Sequence, residues 1–287
     1  MSRLPPEYAG LPAPAIIEEI DIEALLTAKV GRLQNNFDVA GLPYTVSTSE
    51  YDPAVIQLQG AAYDDARLRQ RINEAVRANL LAFALGSDLD QLGAFHSVVR
   101  MAGEDDDRYA YRIVLKNADR NSGGTAPRIE FLAMSADIRV KDVVAYTIGR
   151  SPVIHLPVLS IDNNGVADAA LLAAVDGAVN DPSNRMINDT IEPKAAVQQV
   201  VDIAADVWLL PDAPTSDVDA IEPAMRMAWA EDGKLGRDLT LSWLSAQLQR
   251  GGVQRVEIMA PAAAVEAPFD QAIAIGDVTL IFKGRAY

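Results

Sequence analysis

Cysteine is missing altogether, histidine occurs twice, and aromatic residues make up only 6% of the 287-residue chain. Without cysteine there is no disulfide and no thiolate metal site, so the fold must be held by packing or by neighbouring subunits. Few aromatics beside abundant Ala, Val, Leu and Ile favour closely packed helices and small sheets over a large aromatic-lined pocket. Positive charge is scarce too: 25 basic residues face 40 acidic ones, a net charge of −15. Such a surface repels nucleic acid and anionic membranes, so neither is expected as a partner. No apolar run approaches the length of a membrane span, and the N-terminus MSRLPPEYAGLPAPAIIEE has neither an apolar nor a basic stretch. The protein is expected to stay in the cytosol until it assembles.

What the chain does have is apolar residues, 49% of the total, in a length that suits two or three small domains better than one. Pro5, Pro6, Pro12 and Pro14 predict an extended arm over residues 4–14, lying on a partner. The spacing of Ile16, Ile20, Leu25, Leu26, Val30 and Leu33 predicts an amphipathic helix from Ala15 to about Gln34. Asp52-Pro53 opens a longer helix, with Asp52 as cap and proline at the first helical position, running to about Leu85 with Gly86 as its stop. Along it Leu58, Ala62, Leu68, Ile72, Val76, Leu80 and Phe83 read as one apolar stripe, while Arg67, Arg69, Arg71, Glu74 and Arg77 fall mostly elsewhere. In so acidic a chain those arginines read equally well as a solvated face or as the contact for an acidic neighbour.

Further helices are expected from about Asp88 to His96 and from the acidic run Glu104–Asp107 through Ile113. Within 122–136, a glycine turn and a Thr125 cap lead into another. After Val140 the β-branched runs VVAYTIG and VIHLPVLSI predict a strand pair, followed by a helix over 168–180 and strands over 196–210. Helices at about 218–231 and 239–249 and strands at about 253–259 and 277–283 close the chain. The expected fold class is α+β: an N-terminal extended arm and helical bundle region, 1–121, then two small α+β domains, 122–210 and 211–287.

Little of this supports chemistry. A catalytic triad needs an imidazole, and both His96, at a helix end, and His155, inside a strand, read better as ordinary structural residues. No HExxH pair exists for zinc. The run Glu104–Asp107 reads as a solvated helix start, because successive helical carboxylates do not converge on one ion. Asp162-Asn163-Asn164-Gly165 lacks the register of a calcium loop and reads as a turn. Gly123-Gly124-Thr125 lacks the lysine of a nucleotide loop. Trp208, Trp229 and Trp243 are far apart in sequence, with the last two set among apolar helical neighbours. No cofactor and no metal are expected. A cell-wall or glycan hydrolase would need two convergent carboxylates, and its candidates Asp142, Glu192 and Glu257 are scattered over strands and loops.

Several stretches, in order and from about residue 14 to 285, resemble the baseplate J-like family of contractile-tail wedge proteins. The most specific is residues 50–94, where Tyr63, Leu68, Arg69, Arg71, Asn73, Glu74, Ala75, Gly86, Asp88, Leu89, Asp90 and Gly93 follow the family pattern. EDDDRYAYRI at 104–113, FLAMSADIRVKDVVAY, LGRDLTLSWL at 235–244 and GVQRVEI at 252–258 are also characteristic. Residues 153–200 match only in hydrophobic pattern. The resemblance implies a structural wedge subunit of a contractile phage tail or related injection particle, and no enzyme. It would associate with a second copy of itself and a smaller tail protein through bundled N-terminal helices. It would also meet sheath-initiator and hub or spike proteins, and join neighbouring wedges through its C-terminal domains. The wedges would surround the central spike hub and rearrange on contraction. The residues expected at interfaces are Leu68, Arg69, Arg71, Ile72, Val76 and Leu80 in the bundle, and Leu235, Gly236, Arg237, Val253 and Arg255 at the ring contact.

Overall fold

A computed structural model describes residues 12, 14–43, 45, 51–119 and 124–286. Pro5 and Pro6 of the expected arm, and Gly123 of the glycine turn, lie outside the described residues. The chain is α+β, as its sequence suggests, with helices first and two small sheets after them. Two compact units divide it: residues up to 100 with 105–111, and residues 101–104 with 112 onward.

In the first unit, helix α1 spans Ile22–Val39 and α2 spans Pro53–Ala78. The first begins later and ends later than the apolar spacing suggests. Asp21 is its cap, accepting from Ala24 N–H at 3.1 Å, while the residues before it form a turn at Pro14–Ile17 and are tied to α2 through Glu18. The start of α2 is as expected, Asp52 accepting from Ala54 N–H with Pro53 at the first turn. Its end is not. Asn79 turns its side-chain amide back onto the Ala75 carbonyl and closes the helix, and a turn over Leu80–Ala84 follows. Gly86 opens α3, Gly86–Phe95, instead of stopping α2: at φ +50° it donates its N–H to Asp106. Helix α4, Asp106–Ala118, carries the division between the units.

The second unit continues with α5, Ala126–Ala136, at whose start Thr125 occupies the cap position without making the side-chain bond expected of it. Strands β1 (Val140–Val143), β2 (Tyr146–Thr147) and β3 (Val153–Ser160) pair antiparallel around β3. Helix α6, Ala169–Val179, then returns the chain to β4, Thr190–Ala195, parallel to β3. This parallel pair needs a crossover, and the Ala/Leu/Val helix supplies it. One residue, the buried Ala196, separates β4 from β5, Val197–Leu209. That strand is the centre of the second sheet, antiparallel to β6 (Val253–Ala260) and parallel to β7 (Gln271–Arg285). The two sheets part at Ala196, and among the described residues β5, which the sequence groups with the domain over 122–210, pairs with β6 and β7.

Alternation on β5 sends Ile203, Ala205, Val207 and Leu209 to one face. There they pack against Ile221, Met225 and Trp229 of α7 (Ser216–Asp232) and Leu244 and Leu248 of α8 (Leu241–Leu248). This apolar core is closed by a Trp229–Trp243 edge contact at 4.9 Å and by Trp229 Nε1 donating to Ile273 O.

Candidate assembly surfaces

The helical pair α1–α2 runs antiparallel, since Lys29 meets Asp65 while Glu18 meets Asn73. Asn73 is buried and saturates the Glu18 backbone in both directions, accepting its N–H at 3.0 Å and donating to its carbonyl at 2.8 Å. The burial on α2 falls on Val55, Ala62, Ala66 and Asn73, spaced 7, 4 and 7 along one stripe of the helix. Two of these four are alanines, and α1 has no fully buried residue, its Leu25, Leu26, Val30 and Leu33 being half-buried.

The single apolar stripe read from the sequence is therefore two. Ala62 belongs to the buried one. Leu68 and Ile72, one turn apart, stand on another at 61% and 48% exposure, with Val76 half-buried beyond them. Leu80 is half-buried in the turn after the helix. Tyr63 and Ile56 occupy the opposite flank and are also exposed. Of the arginines, Arg69 forms an ion pair with Glu18, Arg67 lies over the Tyr63 ring, and Arg71 reaches Glu74 only at 3.7 Å with its side chain 81% exposed. Leu68, Ile72 and Arg71 are thus the outward-facing members of the expected bundle surface.

The acidic run Glu104–Asp107 is not simply a solvated helix start. Glu104 is buried, pairs with Arg112 at 2.6 Å and accepts Met101 N–H at 2.9 Å. Arg112 also donates to Ser135 and lies over Phe131. Asp106 pairs with Arg100, whose guanidinium covers Tyr109 at 4.5 Å, and Tyr109 itself donates to Val98 O. These carboxylates organise the turn between α3 and α4, a role that hydrogen-bonded and paired charges can fill in a core.

At the C-terminal candidates the placement is mixed. Arg237 is exposed, and Gly236 sits at φ +67°, where a Cβ would stand 3.0 Å from Phe269 Cα. Arg255 is exposed, paired with Glu257 and stacked on Trp208 at 4.3 Å. Val253, by contrast, is buried in the second sheet's core, and Leu235 packs half-buried on Leu159, Ala196 and Ala272. Gly236 donates to Gln271, opposite the start of β5, whereas Arg255 lies opposite Trp208 near its end, so these candidates fall in two separate places.

The candidates for chemistry do not converge. Asp142 on β1 is buried, accepts Leu235 and Val143 N–H, and burial raises its pKa. Glu192 on β4 is held by Lys194, which lowers its pKa, and Glu257 lies in the other sheet. His155 approaches Glu192 only at 3.7 Å, and His96 caps α3 beside Phe95. Asp162–Gly165 form a short 3-10 turn. Among the described residues no cluster of His, Cys, Asp or Glu is arranged to hold a metal ion, and no helix is long and apolar enough to cross a membrane.

Residues 50–107, which contain α2 and α3, match the family described as the baseplate J-like N-terminal domain. Over 271 residues the chain is 33% identical to baseplate protein J of Escherichia phage P2, covering 88% of this chain and 89% of that protein.

Proposed function

Because the chain belongs to the baseplate J-like family, a family of structural proteins of the phage tail and not of enzymes, we propose that it is a wedge subunit of a contractile tail or related injection particle. The protein is a structural component of a tail baseplate. In the finer reading it assembles with a second copy and a smaller tail protein through α1 and α2. It meets sheath-initiator and hub or spike proteins, surrounds the spike hub with other wedges, and rearranges when the sheath contracts. Before that it waits in the host cytoplasm. The helical region to residue 121 carries the bundle, and the modules over 122–210 and 211–287 carry lateral contacts, with β5 shared into the second of them.

The observation that supports this reading most is the helical pair, where α1 fully buries no side chain and α2 buries alanines while Leu68 and Ile72 stay outside. Helices with so little internal cover gain it by packing against other chains. Arg71, beside them, offers a charged rim for an acidic partner. The ring contact draws on two places, Gly236 and Arg237 with Leu235 near the start of β5, and Arg255 with Val253 near its end. Native mass measurement of the chain with the adjacent tail protein tests the proposal. A complex holding two copies of this chain is expected, and a chain that stays monomeric in intact tails overturns it.

A further inference from the structure

In the second unit a cleft of about 360 Å³ lies between the two sheets and the C-terminal end of α7. In a chain with 40 acidic and 25 basic residues, its wall carries Lys141 and Arg226 and not one carboxylate. The composition of the rest of the surface makes that inversion of charge a specific feature.

Two donors in it lack acceptors. Lys141 is the extra residue of a β-bulge, since the β1–β3 register shifts between Val140 and Asp142, and a bulge re-aims the side chain it carries. Lys141 lines the cleft and forms no ion pair or hydrogen bond with any described residue. Burial pushes its pKa below the usual lysine range, although Asp142 and Asp232 act through space in the opposite sense. The Gln198 Nε2, in the same wall, is buried without an acceptor and lies against Gly165, whose missing Cβ leaves it room. A buried donor left unpaired carries a desolvation cost, so an acceptor beside the Gln198 amide relieves a standing penalty. Arg226 is fixed by Glu222 and the Ile275 and Gly276 carbonyls, which compensate its charge and leave Lys141 as the cation of this wall without an ion pair.

We propose that this cleft binds a carboxylate carried on a short apolar stem, with the Lys141 ammonium and the Gln198 amide as its donors. Leu159, Trp229 and Ile273 give the stem apolar walls. A phosphate fits less well, because the helix end that borders the cleft is a C-terminus, whose dipole opposes a dianion about twice as strongly as the single charge of a carboxylate. The carboxylate can come from a free acid or from an Asp or Glu side chain of a neighbouring chain, and the two sources separate experimentally. The inference stands apart from the assembly reading.

Butyrate is titrated into the purified full chain, with Trp229 fluorescence as the reporter and butyramide as the uncharged control. A free-acid site gives saturable binding that Lys141→Met and Gln198→Leu each weaken at least tenfold, that Lys141→Arg keeps within threefold, and that butyramide does not reproduce. A site for a neighbour's side chain instead gives a carbodiimide-induced amide link from Lys141 to an acidic residue of another chain in intact tails. The arginine variant guards against a folding artefact. If butyrate binding is absent or indifferent to Lys141→Met, and no such cross-link forms, the proposal is overturned.

Discussion

Replacing both Leu68 and Ile72 with Asp separates the folding of the chain from its association. These side chains are 61% and 48% exposed, and complete burial of a Leu or Ile is worth about 1.5–3 kcal/mol, so a partner covering the remaining half gains about 1 kcal/mol from each. Losing both weakens association by about 2 kcal/mol, roughly 30-fold, before the added cost of burying two carboxylates. Within the monomer each change also loses the part of the side chain the chain already covers, about 1 kcal/mol per site, besides about 0.5 kcal/mol of helix propensity, a fall in Tm of several degrees. Sedimentation velocity of the purified chain and the yield of complete tails read the first quantity, and thermal unfolding reads the second. Because the chain is already at −15, added negative charge could itself oppose association, so the Lys pair serves as control. Loss with both pairs locates the contact, whereas association within threefold of the parent in the Asp variant would refute the assignment of this face.

Three further substitutions probe the supports of these surfaces. Gly93→Ala places a Cβ 1.7 Å from Tyr109 Oη, and Tyr109, buried beneath Arg100, has no room to yield; denaturant unfolding is expected to register a loss of about 2–3 kcal/mol. Glu104→Leu takes the carboxylate away from the buried Arg112 and should lower stability by about 3–5 kcal/mol, much of it recovered by adding Arg112→Met; a loss below about 1 kcal/mol in the single variant contradicts the role given to the pair. Asp142 and Glu130 both have pKa values raised by burial, so their folded forms hold protons that the unfolded chain releases, and their ionisation lowers stability as pH rises from about 4 through the raised values. Asp142→Asn is expected to flatten that decline in a pH series of unfolding midpoints, and an unchanged slope counts against the assignment.

Periodicity and caps made the elements legible. Asp52-Pro53 announced α2 because a side-chain acceptor followed by proline has one favourable use at a helix start, and the β-branched runs after Val140 announced the strands. What the sequence could not convey was which partner each polar group would find. Gly86 reads as a stop because glycine usually ends a helix; here Asp106, twenty residues on, satisfies its N–H at the start of the next. Glu104 reads as solvated in an acidic run, yet Arg112 two turns along α4 buries it. Gly93 belonged to the recognised pattern without a visible reason, which Tyr109 supplies. The Lys141–Gln198 cleft gave no signal at all, because a bulge and a buried amide from distant strands meet only in the folded sheets.

The same limit explains the apolar stripe of α2. Hydropathy weighs Leu68 and Ile72 above Ala62, and the sequence reading sets all three on one stripe. Close approach of two helices favours small residues at the contact, and Glu18, Lys29, Asp65 and Asn73 fix α1 over the alanines through polar bonds. The larger side chains are thereby left on the flank, where the monomer draws little stability from them. A stripe that hydropathy marks strongly and the folded chain leaves exposed is the pattern expected of a surface that another chain covers.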